Sequence, residues 1–439
     1  MPFKEEGKMK LRIFCSLLLL LCVALRAQTP SSQRSTPLTV GRPQSVGISP
    51  ARLERIDQMA LKAIANNEIP GLVALVARQG KIVYNKAYGF ADIESNVPMR
   101  TDHIFRIASQ TKAITSVAAM MLWEEGHFEL DEPISKYIST FKNPEILDTF
   151  DESTGTYTSI PAEKEITIRQ LLTHSSGIGY GLIDPNKGIR MIYKQAGIID
   201  AWSTEPDRLS ENIKRLSELP LVFEPGEKYR YSLGIDVIGY LIEIVSGMRL
   251  DSFMQERLFG PLGMKDTFFY LPKGKAKRLV TPYTNKSGEW LKYKGYPGYY
   301  DADFPVKGAK TYFSGGAGLS STALDYAKFM QMILNRGELN GTRFLSRTTV
   351  ATMSAAQIEM GQGALAHGLA FGVTNEDSVA VGGLGSAGSF SWGGYFNSQY
   401  FADPKEEILG IILKQTRQTN KPDSTKAKFR RLVLQSVDD

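Results

Sequence analysis

Cysteine is almost absent from this sequence, and the only two, Cys15 and Cys22, both lie near its start, before Ala27. The rest of the chain can therefore form no disulfide bond and no thiolate metal site. Lipid attachment at Cys22 is not expected, because the bulky Leu21 precedes it where lipidation signals need a small residue.

Histidine is also scarce, since the 439 residues contain four, at positions 103, 127, 174 and 367. No two of them have the His-x-x-x-His spacing of a helical zinc site, so we expect no metal. The sequence has no Gly-x-Ser-x-Gly motif, which leaves a Ser-His-Asp triad possible but without support. We expect His174 to stabilise the last turn of a helix instead.

Motifs for cofactors and nucleic acids are missing as well. The run Gly315–Gly318 is not followed by Gly-Lys-Ser/Thr, so we interpret it as close backbone packing and expect no cofactor. The net charge is +6, of which the segment that ends at Ala27 contributes +3, and a basic cluster occurs only over residues 414–431. Such a cluster is typical of a solvated helix face, and we expect no nucleic-acid partner.

The beginning of the sequence has the residue order of a secretory signal. Lys8, Lys10 and Arg12 precede an apolar run over residues 13–25 that ends at Ala27, and this run is too short to span a membrane. We predict a signal peptide over residues 1–27, cleaved near Ala27, and a flexible Ser/Thr/Pro/Gln-rich leader over residues 28–46. The mature protein is then periplasmic or secreted from a bacterium, with no integral membrane segment.

Residues 47–439 are predicted to form one catalytic domain. Strand patterns occur near both ends, at 71–78, 81–89, 389–402 and 407–415, and helical patterns fill the middle. The expected fold class is α/β of the α+β type: an antiparallel sheet built from both chain ends, flanked by helices, with an inserted helical lobe. The sheet lobe would span about 47–108 and 305–439, and the helical lobe about 109–304. We expect catalysis in a cleft between the lobes.

The sequence Ser109-Gln110-Thr111-Lys112 places a hydroxyl and an amine three residues apart at a helix start. Residues at this spacing face the same way, so Lys112 can reach the Ser109 oxygen and activate it as a nucleophile. Apolar residues with helical spacing follow, at positions 114, 117, 118, 121 and 122. A second match, Ser139 to Lys142, runs into Pro144 and is not expected to be helical. An ordinary helix cap at Ser109 is the alternative.

A tyrosine and a glycine pair complete the candidate site. Tyr231 precedes a helical pattern over 233–246, and a nearby ammonium would favour its phenolate. The alternative is a packing tyrosine. Trp392-Gly393-Gly394 lies inside the 389–402 strand pattern, where paired glycines indicate close approach of a ligand or backbone, or else a bulge in an edge strand.

With these motifs the chain resembles the serine beta-lactamase and penicillin-binding protein superfamily, in particular the class C branch and the family VIII carboxylesterases. The resemblance also includes Leu171–Gly177 and Ser314–Leu319, and it extends from about Gln44 to the end. It implies that Ser109 is acylated, that Lys112 and Tyr231 share general-base and general-acid work, and that the backbone amides of Ser109 and Tyr395 form the oxyanion hole.

Two departures from the beta-lactamase pattern bear on the substrate. Leu233 stands where that branch has the Asn of Tyr-x-Asn, and Trp392-Gly393-Gly394 stands where it has Lys-Thr-Gly. A leucine offers no amide to a lactam, and a tryptophan offers no charge to a substrate carboxylate. We therefore expect an exported serine hydrolase that cleaves small carboxylic esters, with beta-lactam turnover as a weak side activity.

Several alternative functions stay open at this point. A beta-lactamase or a D-alanyl-D-alanine carboxypeptidase uses the same nucleophile and base. A transacylase would pass the acyl group to an alcohol other than water, and a sensor would be acylated without turnover. The sequence does not indicate the natural ester or the oligomeric state.

Overall fold

The structure, a computed structural model, describes residues 35, 37–296, 300–361, 365–382 and 385–439. The predicted signal peptide and the first part of the predicted leader, residues 1–34, lie outside the described residues.

Helices and strands alternate irregularly along the described chain. The α-helices are α1 Pro50–Ala65, α2 Thr111–Glu124, α3 Ile168–Leu172, α4 Lys187–Gln195, α5 Leu209–Ser217, α6 Gly234–Ser246, α7 Leu250–Met254, α8 Gly260–Leu262, α9 Phe304–Lys307, α10 Ala323–Leu334, α11 Arg347–Ser354, α12 Glu376–Val381 and α13 Thr425–Leu434. Short 3-10 helices are Pro43–Val46, Ala108–Gln110, Ile134–Lys136, Ser139–Phe141 and Lys273–Arg278, and Gln255–Phe259 is a π-helix.

The strands are mostly short. They are β1 Thr39–Val40, β2 Gly71–Arg78, β3 Lys81–Asp92, β4 Val97–Pro98, β5 Phe105–Arg106, β6 Glu145–Phe150, β7 Tyr157–Pro161, β8 Tyr283–Asn285, β9 Leu291–Lys292, β10 Gly295–Tyr296, β11 Tyr300–Asp301, β12 Ser320–Ser321, β13 Glu338–Leu339, β14 Thr342–Arg343, β15 Ile358–Glu359, β16 Leu365–His367, β17 Gly372–Thr374, β18 Phe390–Gly393, β19 Gln399–Asp403, β20 Ile408–Leu413 and β21 Thr416–Thr419.

Strands from both ends of the described chain form one large sheet. Its order is β1-β3-β2-β20-β19-β18-β17-β16-β15, with β4 paired to β3. Every pair along this path is antiparallel except β1 with β3, which is parallel. The predicted fold class, a sheet from both chain ends flanked by helices, is confirmed.

The central strand β2 is buried on both faces. Because side chains of a strand point alternately to opposite faces, its residues belong to two cores. Leu72, Ala74 and Val76 pack with helices α1 and α13, whereas Val73 and Leu75 face the larger core that contains α2 and α10. Helix α2 is buried along its whole length up to Leu122, and its buried polar side chains Lys112 and Thr115 donate hydrogen bonds to backbone carbonyls.

The structure differs from the predicted elements at two places. The predicted strand 389–402 is two strands, β18 and β19, separated by a turn in which Asn397 has a φ of +65°. Asparagine tolerates this left-handed conformation, and the alternation of side chains alone did not reveal the turn. Strand β18 also lies between β17 and β19, so the interpretation of Gly393-Gly394 as a bulge in an edge strand is wrong. In the predicted leader, Thr39–Val40 pairs with β3.

Among the described residues, none of the helices combines the length and the apolar character that a membrane crossing requires.

A buried ion pair joins the sheet to the last helix. Lys414, which follows β20, is fully buried, and its ammonium donates to the carboxylate of Asp423 and, at 2.8 Å, to Thr425 Oγ1. Asp423→Ala would leave the ammonium buried without its charge partner. We expect a loss of about 3–5 kcal/mol in the free energy of unfolding, measured by urea denaturation.

The matched control is Asp303→Ala, which removes an exposed partner of Lys307 in an i,i+4 pair. This change should cost far less than Asp423→Ala, because water already screens the pair. Equal losses of unfolding free energy in the two variants would contradict the view that Lys414 and Asp423 form a stabilising buried ion pair.

Candidate active site

Ser109 lies in the 3-10 turn Ala108–Gln110, directly before helix α2. Its neighbours Ala108 and Gln110 are buried, but Ser109 itself is partly exposed. Ala108 has a φ of +47°, a strained conformation for a residue with a side chain. The surrounding structure holds this turn, since the preceding Ile107 N–H donates to Leu319 O at 3.0 Å. The backbone thus presents the serine hydroxyl at the surface of the site.

Lys112 follows in the first turn of α2 and is 4% exposed. Its ammonium donates to Gly316 O at 2.8 Å and to Tyr180 Oη at 3.1 Å. It also lies 4.7 Å from the centroid of the Tyr231 ring. The hydrogen bonds of Lys112 therefore go to these groups and not to Ser109, although the helical spacing predicts that the two side chains can meet. Catalytic hydrogen bonds are often longer in a free enzyme than in its substrate complex.

Tyr231 lies at the centre of a cluster of rings. Its ring is 4.8 Å from that of His174, 5.4 Å from that of Tyr180 and 5.7 Å from that of Trp392, centroid to centroid. The Tyr231 hydroxyl is buried, and in the described chain it has no hydrogen-bond partner. A buried hydroxyl without a partner is uncommon in proteins, so this oxygen is available to a reacting group. The structure thus brings Lys112, Tyr231 and Trp392 into one site.

The end of strand β18 approaches the Ser109 turn. A Cβ atom on Gly394 would lie 2.7 Å from the carbonyl oxygen of Ile107, so only glycine permits this approach. The next residue is Tyr395. Within the described ranges, no backbone carbonyl accepts a hydrogen bond from the N–H of Ser109 or of Tyr395. Two such donors near a serine have the character that an oxyanion hole requires.

A second group of aromatic residues borders the site beyond Tyr395. The ring of Tyr395 contacts those of Trp202 at 5.7 Å and Tyr300 at 5.0 Å, and its hydroxyl is hydrogen-bonded to that of Tyr293 at 2.9 Å. Ala108 belongs to the same apolar cluster. Trp202, Tyr293 and Tyr300 come from the irregular region between about 200 and 305, where no sequence pattern indicated them.

Two of the three buried histidines, His174 and His367, are in contact with the aromatic rings of the site. Burial lowers the pKa of His174 well below its ordinary value and that of His367 to about 4, so both rings are uncharged at neutral pH. The Nδ1 atom of His174 is 3.0 Å from Ser232 Oγ, and the His174 ring packs on Tyr231. The side chain therefore supports the tyrosine loop, while the backbone of His174, with a φ of +57°, closes the last turn of α3 as predicted by donating its N–H to Leu171 O at 3.4 Å.

Three buried carboxylates near the site were not identified from the sequence. Asp184 accepts a hydrogen bond from the Tyr180 N–H at 2.9 Å and forms an ion pair with Arg230, next to Tyr231. Asp200 accepts from two backbone N–H groups, and desolvation raises its pKa to about 7. Asp236 lies in the first turn of α6 and is fully buried. The sequence offers one indication of these groups: Asp236 is the single carboxylate in the apolar stretch 235–242.

The chain is similar in sequence to a known protein family and to two esterases. A family model described as Beta-lactamase matches residues 56–435. The esterase EstB of Burkholderia gladioli is 31% identical over 376 residues, covering 82% of this chain and 90% of that protein. The lovastatin esterase of Penicillium rubens is 30% identical over 368 residues, covering 80% of this chain and 89% of that protein.

A solved structure gives the same result. EstCE1, described as a hydrolase with promiscuous acyltransferase activity, has a TM-score of 0.74 at 27% identity and covers 87% of this chain and 98% of that one. The resemblance inferred from the motifs is confirmed by these matches.

The contact between Gly394 and Ile107 leads to a prediction. Gly394→Ala would force strand β18 away from the Ser109 turn, because the new Cβ would clash with a backbone carbonyl. We expect the rate of covalent labelling of Ser109 by a fluorophosphonate probe to fall at least about tenfold, for a strain of about 1–3 kcal/mol.

Gly393→Ala is the matched steric control, since its Cβ would meet no atom closer than 3.4 Å. Its labelling rate should fall less than that of Gly394→Ala. Equal rates in the two variants would mean that the approach to Ile107 does not position the site.

Proposed function

The chain belongs to the beta-lactamase family, and we propose that it is an exported serine carboxylesterase acting through a covalent acyl-enzyme. Its fold and relatives are those of ester hydrolases and acyltransferases, which act on small molecules. The observation that carries the finer proposal is the Tyr231 hydroxyl, which is buried without a partner in the described chain, on a ring whose centroid lies 4.7 Å from the Lys112 ammonium. Export is proposed from the signal pattern of residues 1–27.

The proposed mechanism has two steps. Ser109 Oγ attacks the ester carbonyl carbon and gives its proton to the Lys112–Tyr231 pair, while the N–H groups of Ser109 and Tyr395 bind the developing oxyanion. The ester C–O bond then breaks, and the pair returns the proton to the leaving alcohol. In the second step the pair takes a proton from a water molecule, which attacks the acyl-serine. The bond between the acyl carbon and Ser109 Oγ then breaks, the pair returns the proton to Oγ, and the acid is released.

The surroundings of Tyr231 favour an ester over a beta-lactam. Leu233, at the position where a beta-lactamase of this branch has asparagine, is 1% exposed and belongs to the main core. It offers no group to a substrate amide. Trp392 contacts the rings of Tyr231 and His367, so the strand presents an apolar wall where a lysine would attract a carboxylate. Beta-lactamase and carboxypeptidase activity are therefore proposed only as minor alternatives.

The test of the nucleophile is Ser109→Ala. Because members of a catalytic unit act together, we expect hydrolysis of p-nitrophenyl butyrate to fall about 10³-fold or more. Ser139→Ala is the matched control, since Ser139 begins the second Ser-x-x-Lys match and lies in a separate 3-10 helix. It should keep the activity of the unmodified protein.

Retained hydrolysis in Ser109→Ala would refute the proposed function. The unmodified protein should also release more than one equivalent of p-nitrophenol and hydrolyse nitrocefin far more slowly. A single equivalent would indicate a sensor that is acylated without turnover.

Acyl transfer is the second candidate, favoured by the likeness to EstCE1 and by the aromatic wall at Trp202, Tyr293 and Tyr300. An apolar wall holds an alcohol acceptor as well as it holds a leaving alcohol. With 1-butanol added to p-nitrophenyl butyrate, we expect butyl butyrate as a minor product beside butyric acid, measured by gas chromatography. An excess of the new ester over the acid would identify a transacylase.

A further inference from the structure

We propose that Asp236 is the counter-ion that keeps Lys112 positively charged, so that the phenol oxygen of Tyr231 carries the proton of Ser109. The inference rests on the proposed function, because it concerns proton transfer within that same site. Asp236 does not touch the substrate and acts through Lys112, so it is a positioning residue.

The contacts of Asp236 favour its carboxylate form. Its Oδ1 atom accepts a hydrogen bond from Ser314 Oγ at 2.7 Å and from the Gly316 N–H at 3.3 Å. The residue also lies in the first turn of α6, where the helix dipole favours a negative charge. Burial has the largest effect and leaves the pKa of Asp236 above its ordinary value, although the charge of Lys112 and these hydrogen bonds limit the rise.

The backbone of Gly316 lies between the two charged groups and is hydrogen-bonded to both. Its N–H donates to Asp236, and its carbonyl oxygen accepts from the Lys112 ammonium at 2.8 Å. A Cβ atom on Gly316 would lie 2.4 Å from Asp236 Oδ2 and 3.3 Å from Lys112 Nζ. The two charged groups thus flank the same point, and no side chain stands between them. Oδ2 has no hydrogen-bond partner in the described chain, and the charge of Lys112 is the opposite charge that acts on this carboxylate.

The other ionisable groups near the pair carry little charge at neutral pH. Burial lowers the pKa values of His174 and His367, which are close enough to feel Lys112. Burial also raises the pKa values of Tyr180 and Tyr312, which interact with Asp236. Asp200 is the exception, because burial brings its pKa to about 7. Asp236 is therefore the carboxylate to remove, and Asp200 is the group to control for.

Because Lys112 keeps its positive charge throughout the cycle, the proton of Ser109 passes to Tyr231. The O–H bond of Ser109 breaks as its oxygen bonds to the ester carbon, and the proton passes to the phenolate of Tyr231. The ammonium stabilises that phenolate throughout and keeps its own protons. When the tetrahedral intermediate collapses, the phenol returns the proton to the departing alkoxide, and the ester C–O bond breaks. Before each cycle the Lys112–Tyr231 pair must lose one proton, which takes its charge from +1 to zero.

This charge change fixes the sign of the pH effect. A nearby carboxylate stabilises the +1 form and so raises the pH at which the pair loses its proton. Asp236→Asn keeps the size and the acceptor oxygen but removes the charge. We expect the acid-side midpoint of the kcat/KM profile to move down by at least about one pH unit, as for an opposite charge at short range. A purely structural role would lower the rate at every pH without moving the midpoint.

Two further variants complete the experiment, all measured with p-nitrophenyl butyrate from pH 4 to 9. Asp200→Asn removes another buried carboxylate, one that accepts from the N–H groups of Gly181 and Leu182 and not from Gly316, and should move the midpoint less than half as far. Ser314→Ala removes one donor to Asp236 and disturbs the fold less, so it should move the midpoint in the same direction by a smaller amount. Ser314→Ala therefore provides the test if Asp236→Asn does not fold.

The outcomes separate this inference from the proposed function. An unmoved midpoint in both Asp236→Asn and Ser314→Ala, with the unmodified protein active, would overturn the role of Asp236 alone. An equal shift in Asp200→Asn would also overturn it, since any buried carboxylate would then suffice. Absence of hydrolysis in the unmodified protein would instead refute the proposed function.

Discussion

The buried ammonium of Lys112 is the constraint on which the rest of the site depends. A charge taken out of water must find acceptors or an opposite charge, or it is lost with its proton. Here the carbonyl of Gly316, the hydroxyl of Tyr180 and the face of the Tyr231 ring surround it. These groups come from three distant parts of the chain. The ammonium can therefore be buried only where these three parts of the chain meet around helix α2.

Close backbone contacts make this closure possible at two glycines. Gly394 brings strand β18 against the carbonyl of Ile107, and Gly316 lies between Asp236 and Lys112. At each point a side chain would separate groups that must act together. The glycine-rich segments thus determine distances in the site, whereas the aromatic and aliphatic residues around them exclude water. Their freedom of conformation matters less than their lack of a Cβ atom.

The sequence correctly predicts those helices and strands whose apolar residues recur with a regular local period. The helix after Ser109, the strands predicted at 71–78 and 81–89, and the sheet assembled from both chain ends all follow from apolar patterns of period 3.6 or 2. The turn that divides residues 389–402 was missed, because a left-handed Asn397 leaves no trace in such a pattern. Tyr180, Asp200 and Asp236 were missed for a different reason: their partners lie far away in sequence, and one carboxylate in an apolar helix does not reveal which cation it faces.

The charge balance of the centre also bears on what it binds. The ammonium of Lys112 is matched by the buried carboxylate of Asp236, so the two together add no net charge to the site. The strand that borders them contributes the indole of Trp392 where a lysine would supply a second cation. A carboxylate-bearing substrate would lose its hydration there and meet no unmatched ammonium from these groups, which is unfavourable in a buried site. A neutral ester has no such cost, since its acyl and alkoxy groups are apolar. The aromatic residues around Tyr395 then stabilise it by burial, which selects for the shape of the ester and not for its charge.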